Sequence, residues 1–266
     1  MGIGVFDSGI GGLTVFQALR QALPAAERLV YLGDTARVPY GTKSDETVIR
    51  YALEGARFLE RRGIKALVIA CNTMSAVALP ALQRDTPLPV AGVIDPGAEA
   101  ACRATRRKAI CVIGTAATVR SGAYARAIAR RLPDARVISR ACPLFVPLAE
   151  EGWVDNDVAR AAAAAYLGDL KREGIDTLVL GCTHYPLLER VIREAVGPGV
   201  ALIDSARATA TTVRAQLEER GLLAAGAGVA GEDHFFVTDS SERFREVGSR
   251  FLGGPIARLE QIDILG

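Results

Sequence analysis

The stretch LVIACNTMSA, residues 67–76, is a buried-strand pattern that runs directly into a cysteine flanked by small polar residues, and LVLGCTHYPL, residues 178–187, repeats the arrangement. Aligned at an offset of 111 (182 minus 71), Gly63 falls on Gly174, Ile64 on Ile175, Leu67 on Leu178, Val68 on Val179 and Cys71 on Cys182. A second likeness precedes it. GVFDSG, 4–9, matches CVIGTA, 111–116, at an offset of 107 (111 minus 4), each a strand leaving into a small polar turn before a helix. The order strand and turn, second strand, long helix, strand and cysteine therefore occurs twice. It predicts one α/β unit over 1–95 and a second over 96–207.

Outward from the cysteines, short apolar runs alternate with longer segments of helical period, which predicts βαβ units around mainly parallel sheets. Strands are expected near 2–6, 28–32, 65–70, 89–94, 109–113, 136–141, 176–181, 200–204 and 235–238. The run 44–63 opens with Ser and acids and closes with basic residues and Gly, as helix ends prefer. The run 155–174 is built the same way. In the tail, FFVTDS predicts a strand and SSERFREVGSRFLG a helix.

Composition narrows the function. Half of the 266 residues are hydrophobic and 23% charged, with a formal charge of +2 and acids and bases interspersed, so no basic stripe offers itself to a nucleic-acid backbone. The run RATRRK, 103–108, reads as a solvated helix end. No apolar run reaches the roughly 18 residues a membrane span requires. MGIGVFDSG lacks the basic, apolar character of a secretory leader, and five widely spaced cysteines argue for reduced thiols, so a cytoplasmic protein is expected.

In parallel α/β sheets, ligands bind beyond the carboxyl ends of the strands. Both Cys71 and Cys182 fall there, followed by Asn72 and Thr73 and by Thr183 and His184, short hydrogen-bonding residues suited to the carboxylates and ammonium of a small polar ligand. The first strand delivers Asp7 and Ser8 to a similar edge. The GIGG that follows is expected to let backbone approach a ligand closely. DSGIGG is neither a dinucleotide fingerprint nor a Walker loop. No nucleophile elbow surrounds Ser8. No cysteine has the arginine six residues later that a phosphatase loop needs, and two histidines are too few for a zinc site beside these thiols. Cys102, Cys111 and Cys142 read as buried packing residues.

A matched pair of thiols suits a specific reaction. One thiolate removes a proton from a carbon while the opposite thiol delivers one to its other face, which inverts the centre without a cofactor or metal. An unperturbed thiol ionises at about 8.5 and needs help near neutrality. Asp7 and His184 are the candidate helpers, Asp7 equally a candidate N-cap for the following helix.

These motifs resemble those of the glutamate racemases, within the wider aspartate/glutamate racemase superfamily. The likeness runs in order through GVFDSGIGGLTV, YLGDTARVPYGTKS, ACNTMSA, VIGTAATVRSGAY, CPLFVPLAEEGWV, LVLGCTHYPLL and LIDSARATA, nearly the whole chain. It departs at Met74, where the family carries a small residue. The resemblance implies cofactor-independent interconversion of L- and D-glutamate, with the D-enantiomer going to peptidoglycan. It implies that Cys71 deprotonates D-glutamate with Asp7 as helper, and Cys182 deprotonates L-glutamate with His184 and Glu150. Asp34 is a supporting residue. Substrate contacts carried over are Asp7, Ser8, Tyr40, Gly41, Asn72, Thr73, Thr118, Thr183 and His184. The implied fold is two Rossmann-like domains facing across a cleft and related by a pseudo-twofold, with 208–266 completing the first, and the implied assembly a homodimer. Aspartate racemase, a non-catalytic amino-acid-binding module and a one-thiol hydrolase are the alternatives, and the last two have no use for paired thiols.

Overall fold

A computed structural model describes residues 1–224 and 231–264. Among the described residues ten strands form two sheets: β1 (Gly2–Asp7), β2 (Leu29–Gly33), β3 (Ile64–Ile69), β4 (Val90–Gly92), β5 (Ala109–Gly114), β6 (Arg136–Ala141), β7 (Thr177–Gly181), β8 (Ala201–Asp204), β9 (His234–Val237) and β10 (Leu259–Gln261). The first sheet has the order β10-β9-β2-β1-β3-β4 and the second β6-β5-β7-β8, and every strand pair is parallel. Strands β1, β2, β5 and β7 are buried along their whole length, as strands covered on both faces must be.

The internal repeat extends to hydrogen-bond register. Gly4 pairs with Leu67 and Val5 with Val68 in the first sheet, while Cys111 pairs with Leu178 and Val112 with Val179 in the second. The same offsets of 107 and 111 that align the sequence relate these pairs. The repeated unit is thus a β2-β1-β3-β4 sheet and its copy β6-β5-β7-β8. Gly63 and Gly174, equivalent in the repeat, both take the left-handed backbone (φ +73° and +65°) that a side chain disfavours, and each leads into its central strand.

Local signals account for most of the helices. Ser44 caps the helix Asp45–Arg61 by accepting the Thr47 N–H, with Asp45 and Glu46 in its first turn. This helix lies close on β1 because Gly55 faces the Phe6 ring, where a Cβ would come within 2.2 Å. The second expected helix is shorter than its pattern. Asn156 caps it, but the α-helix ends at Leu167 and a single 3-10 turn, Gly168–Lys171, follows. Gly168 weakens the helix there, and the tighter turn places Leu170 in the core. The tail strand β9 pairs with β2, and the helix Ser241–Leu252 stops at Gly253 in a left-handed cap. Strand β10 has no counterpart among the expected strands, since LEQ is three residues long and carries no apolar alternation.

The core has two parts. Ile3 and Val5 of β1 join Leu13, Phe16, Ile110, Val112, Leu178 and Cys182 in a continuous cluster that runs from the first sheet into the second. Phe6, on the opposite face of β1, joins Leu32, Leu67, Ile69, Cys71 and Met74. Alternation along β1 therefore ties one face to the other half of the molecule, and the carboxyl ends of the central strands meet near that junction.

Candidate active site

Each central strand pair ends in a cysteine-bearing turn. Cys71 follows β3 and caps the short helix Asn72–Val77, its Sγ accepting the Met74 N–H at 3.5 Å. Cys182 follows β7 and precedes a 3-10 turn, Tyr185–Leu188. The thiols are 7% and 5% exposed, so a charge on either is largely shielded from water. All five cysteines are free thiols.

The two thiols have different helpers. Burial and the Asp7 carboxylate push the Cys71 thiol up to about 12, against hydrogen bonds from Ser8 and the Met74 N–H that favour its ionised form. Burial also raises Asp7, partly offset by the positive charge of His184 and by N–H groups of Gly9, Gly12 and Ser8. Asp7 does not cap the helix Leu13–Ala22, whose N-cap is Gly12. Its Oδ2 accepts the Gly9 N–H at 2.9 Å, and its Oδ1 is buried without a partner.

On the other side, His184 Nδ1 lies 3.8 Å from Cys182 Sγ and 3.4 Å from Thr183 Oγ1, while Nε2 lies 3.1 Å from Glu150 Oε1. Burial alone would lower the imidazolium, but the hydrogen bonds with Cys182 and Glu150 outweigh it and hold His184 at about 10. The His184 hydrogen bond in turn lowers Glu150, against burial, with Arg243 3.6 Å away adding to the effect. A charged imidazolium is an electrostatic partner for negative charge on the adjacent sulfur. Phe251 meets the imidazole edge to face at 5.3 Å.

The helpers break the pseudo-symmetry. At the offset of 107, Asp7 corresponds to Gly114, and at 111, His184 corresponds to Thr73. The first half thus carries a carboxylate beside its strand turn, and the second carries an imidazole two residues after its cysteine. The two sets interact: His184 lowers Asp7, and charge on Cys182 raises Cys71.

Hydroxyls and an amide bridge the halves around the thiols. Thr73 Oγ1 lies 2.9 Å from Thr115 Oγ1 and 3.2 Å from Thr118 Oγ1, and Thr14 donates to the Thr183 carbonyl at 2.9 Å. Asn72 Oδ1 accepts the Tyr124 hydroxyl at 2.8 Å, leaving its Nδ2 buried and unpartnered. Gly11 and Gly12 make room for protein groups: a Cβ on Gly11 would fall 2.3 to 2.5 Å from Thr183 Oγ1 and the His184 ring, and one on Gly12 2.3 Å from the Asp7 side chain. Gly41 lies against Thr115. The Tyr40 hydroxyl is committed to Asp34, which also binds Arg37 and Thr238. Both belong to a network behind Cys71, whose charge adds to the burial and the Asp34 charge that raise the phenol. Met74 is fully buried in the core cluster that holds Cys71.

Sequence reasoning did not single out Thr115, Tyr124, Arg243 or Phe251. Thr115 was recoverable, because the offset of 107 places it opposite Ser8. Among the described residues no three His, Cys, Asp or Glu side chains are grouped to hold a metal, and no helix is long and apolar enough to cross a membrane.

Two parallel sheets of one repeated unit each end in a thiol, and hydrogen bonds between the halves bring polar side chains to the same edge. The chain belongs to the Asp/Glu/Hydantoin racemase family, whose model matches residues 3–213. A glutamate racemase of Geobacter metallireducens is 56% identical over 98% of this chain and 96% of its own length. Glutamate racemase isoform RacE1 of Bacillus anthracis superposes with a TM-score of 0.94 at 40% identity, covering 98% of this chain and 97% of that one. The enzyme of Francisella tularensis, solved with D-glutamate, has a TM-score of 0.92 at 39% identity, with 99% and 97% covered.

Proposed function

We propose that this protein is a glutamate racemase that interconverts L- and D-glutamate through Cys71 and Cys182 as paired acid and base. The observation that carries the reading is the placement of two sealed thiols, each with its own ionisable helper, beside the unpartnered Asp7 Oδ1 and Asn72 Nδ2. Buried polar atoms without partners are rare, and these two are an acceptor on Asp7, whose charge acts on Cys71, and a donor on the residue that follows Cys71. The acceptor suits the substrate ammonium and the donor a carboxylate. Ser8, Thr73, Thr118, Thr183 and the Gly41 backbone supply further polar contacts.

Cys71 as thiolate, assisted by Asp7, takes the Cα proton of D-glutamate, and Cys182 delivers its own proton to the opposite face. The reverse reaction starts from a Cys182 thiolate beside the His184 imidazolium, which Glu150 holds charged. No proton is gained or lost overall, and each turnover exchanges the states of the two thiols. Charge that develops on the substrate as Cα is deprotonated meets fixed donors in a site closed to water. The proposed domains are 1–95 with 208–266, of which 225–230 and 265–266 lie outside the described residues, and 96–207. D-Glutamate for peptidoglycan, a cytoplasmic location and a homodimeric assembly complete the proposal.

The test is incubation with L-glutamate in deuterated water without added cofactor, following optical rotation and the Cα proton together. Rotation decaying to zero as deuterium enters Cα, with both lost in Cys71→Ala and in Cys182→Ala, is the expected result. A folded, reduced protein that exchanges nothing refutes the reading. Faster turnover of L-aspartate would reassign the substrate.

A further inference from the structure

Tyr124 lies outside every role assigned above, yet it touches the neighbour of each thiol. It stands in the helix Ala123–Arg131 of the second half and is 2% exposed. Its hydroxyl donates to Oδ1 of Asn72, the residue after Cys71, at 2.8 Å. Its ring edge faces Gly181, the residue before Cys182, so closely that a Cβ there would come within 3.1 Å of Cε2. Gly97 leaves similar room beside the hydroxyl, where a Cβ would lie 3.1 Å from the oxygen.

An asparagine amide presents either its carbonyl or its NH2 to a given side, and the two are nearly isosteric. Pointing the carbonyl at a ligand carboxylate would set two acceptors against each other. The Tyr124 hydroxyl occupies the Asn72 carbonyl, so the NH2 faces the other way, buried and without a protein partner. We infer that Tyr124 is a positioning residue for racemisation, which locks the Asn72 amide with its NH2 toward a substrate carboxylate and couples the Cys71 and Cys182 turns across the two halves. The inference rests on the proposed racemase reading. A carboxylate is already charged before the Cα proton leaves, so a preset donor contributes to substrate binding from the outset and the effect is expected mainly in KM.

Tyr124→Phe removes the hydroxyl and keeps the ring. We expect KM for either glutamate enantiomer to rise by about tenfold, the effect of one hydrogen bond to a charged group, with kcat changed by less than about threefold. In an Asn72→Ala background the same substitution should leave KM unaltered, because the amide it orients is gone. A purely structural tyrosine would act equally in both backgrounds. Asn72→Asp keeps an acceptor for the hydroxyl but removes the donors, and it should raise KM at least as much. An unchanged KM in Tyr124→Phe, or equal factors in the two backgrounds, overturns the inference. A normal KM in Asn72→Asp overturns it however Tyr124→Phe folds. Wild-type protein that racemises glutamate while these variants fail the test sinks this inference alone, and wild-type protein without turnover takes the racemase reading down with it.

Discussion

Glu150→Gln tests the electrostatics of the Cys182 side without relying on turnover. The carboxylate accepts from His184 Nε2 at 3.1 Å and is one of the groups that hold the imidazolium at about 10. A hydrogen bond to a charged partner contributes about 1.5–3 kcal/mol and a neutral one about 1. Glutamine keeps the oxygen and loses the charge, so the loss is about 1–2 kcal/mol, or about one pH unit at roughly 1.4 kcal/mol per unit. The Glu150 side chain is 28% exposed, which favours the lower end. The assay is an NMR titration of the imidazole protons. The chain has only two histidines, and the second, His234, is pushed below the ordinary value by burial and by Arg258, so the two signals separate. His184 should titrate near 10 in the wild type and about one unit lower in Glu150→Gln, with His234 unmoved. His184 is raised, so its contribution to stability is complete below about 6.5 and is lost as pH climbs through about 10. Glu150 is lowered, so its contribution is present above its ordinary range and lost as pH falls below it. Wild-type His184 titrating near 6.5, or not moving on loss of the Glu150 charge, would refute the reasoning.

Gly11→Ala drives a methyl group into Thr183 and the His184 ring. It should lower stability by about 1–3 kcal/mol and cut turnover further than that loss explains, as thermal melting and kinetics on the same sample would show. Gly55→Ala meets the Phe6 ring instead of a site side chain and should destabilise by a similar amount, about 1–3 kcal/mol, while the folded fraction keeps its KM. Asp176→Ala strands the Thr105 hydroxyl and the Arg106 and Arg107 N–H groups that its carboxylate accepts. It should cost about 1–3 kcal/mol in denaturant melts without changing the pH profile of activity.

Much of this molecule is local in origin. The buried strands, the Ser44 cap, the strand-to-cysteine turns and the repeat were legible because each depends on residues close in the chain, where side-chain period and capping chemistry act directly. Even the equivalence of the two sheets was present as two offsets, since one packing solution leaves one spacing of apolar residues. The candidates at the strand ends were legible because a parallel sheet directs its loops to one edge. Strand β10 carried no such pattern, because its place comes from pairing with β9. Pairing between distant segments was likewise beyond local reading: Glu150 and His184, within the second half, stand 34 residues apart in sequence, Asn72 and Tyr124, across the halves, 52 apart, and nothing in their own neighbourhoods encodes the contact. Whether Asp7 caps a helix or is held beside a thiol, and whether the Tyr40 hydroxyl reaches the site or Asp34, depended on burial and on which groups converge. Those are properties of the packed chain, because the cost of an unpartnered charge or hydroxyl is set by everything that surrounds it in space.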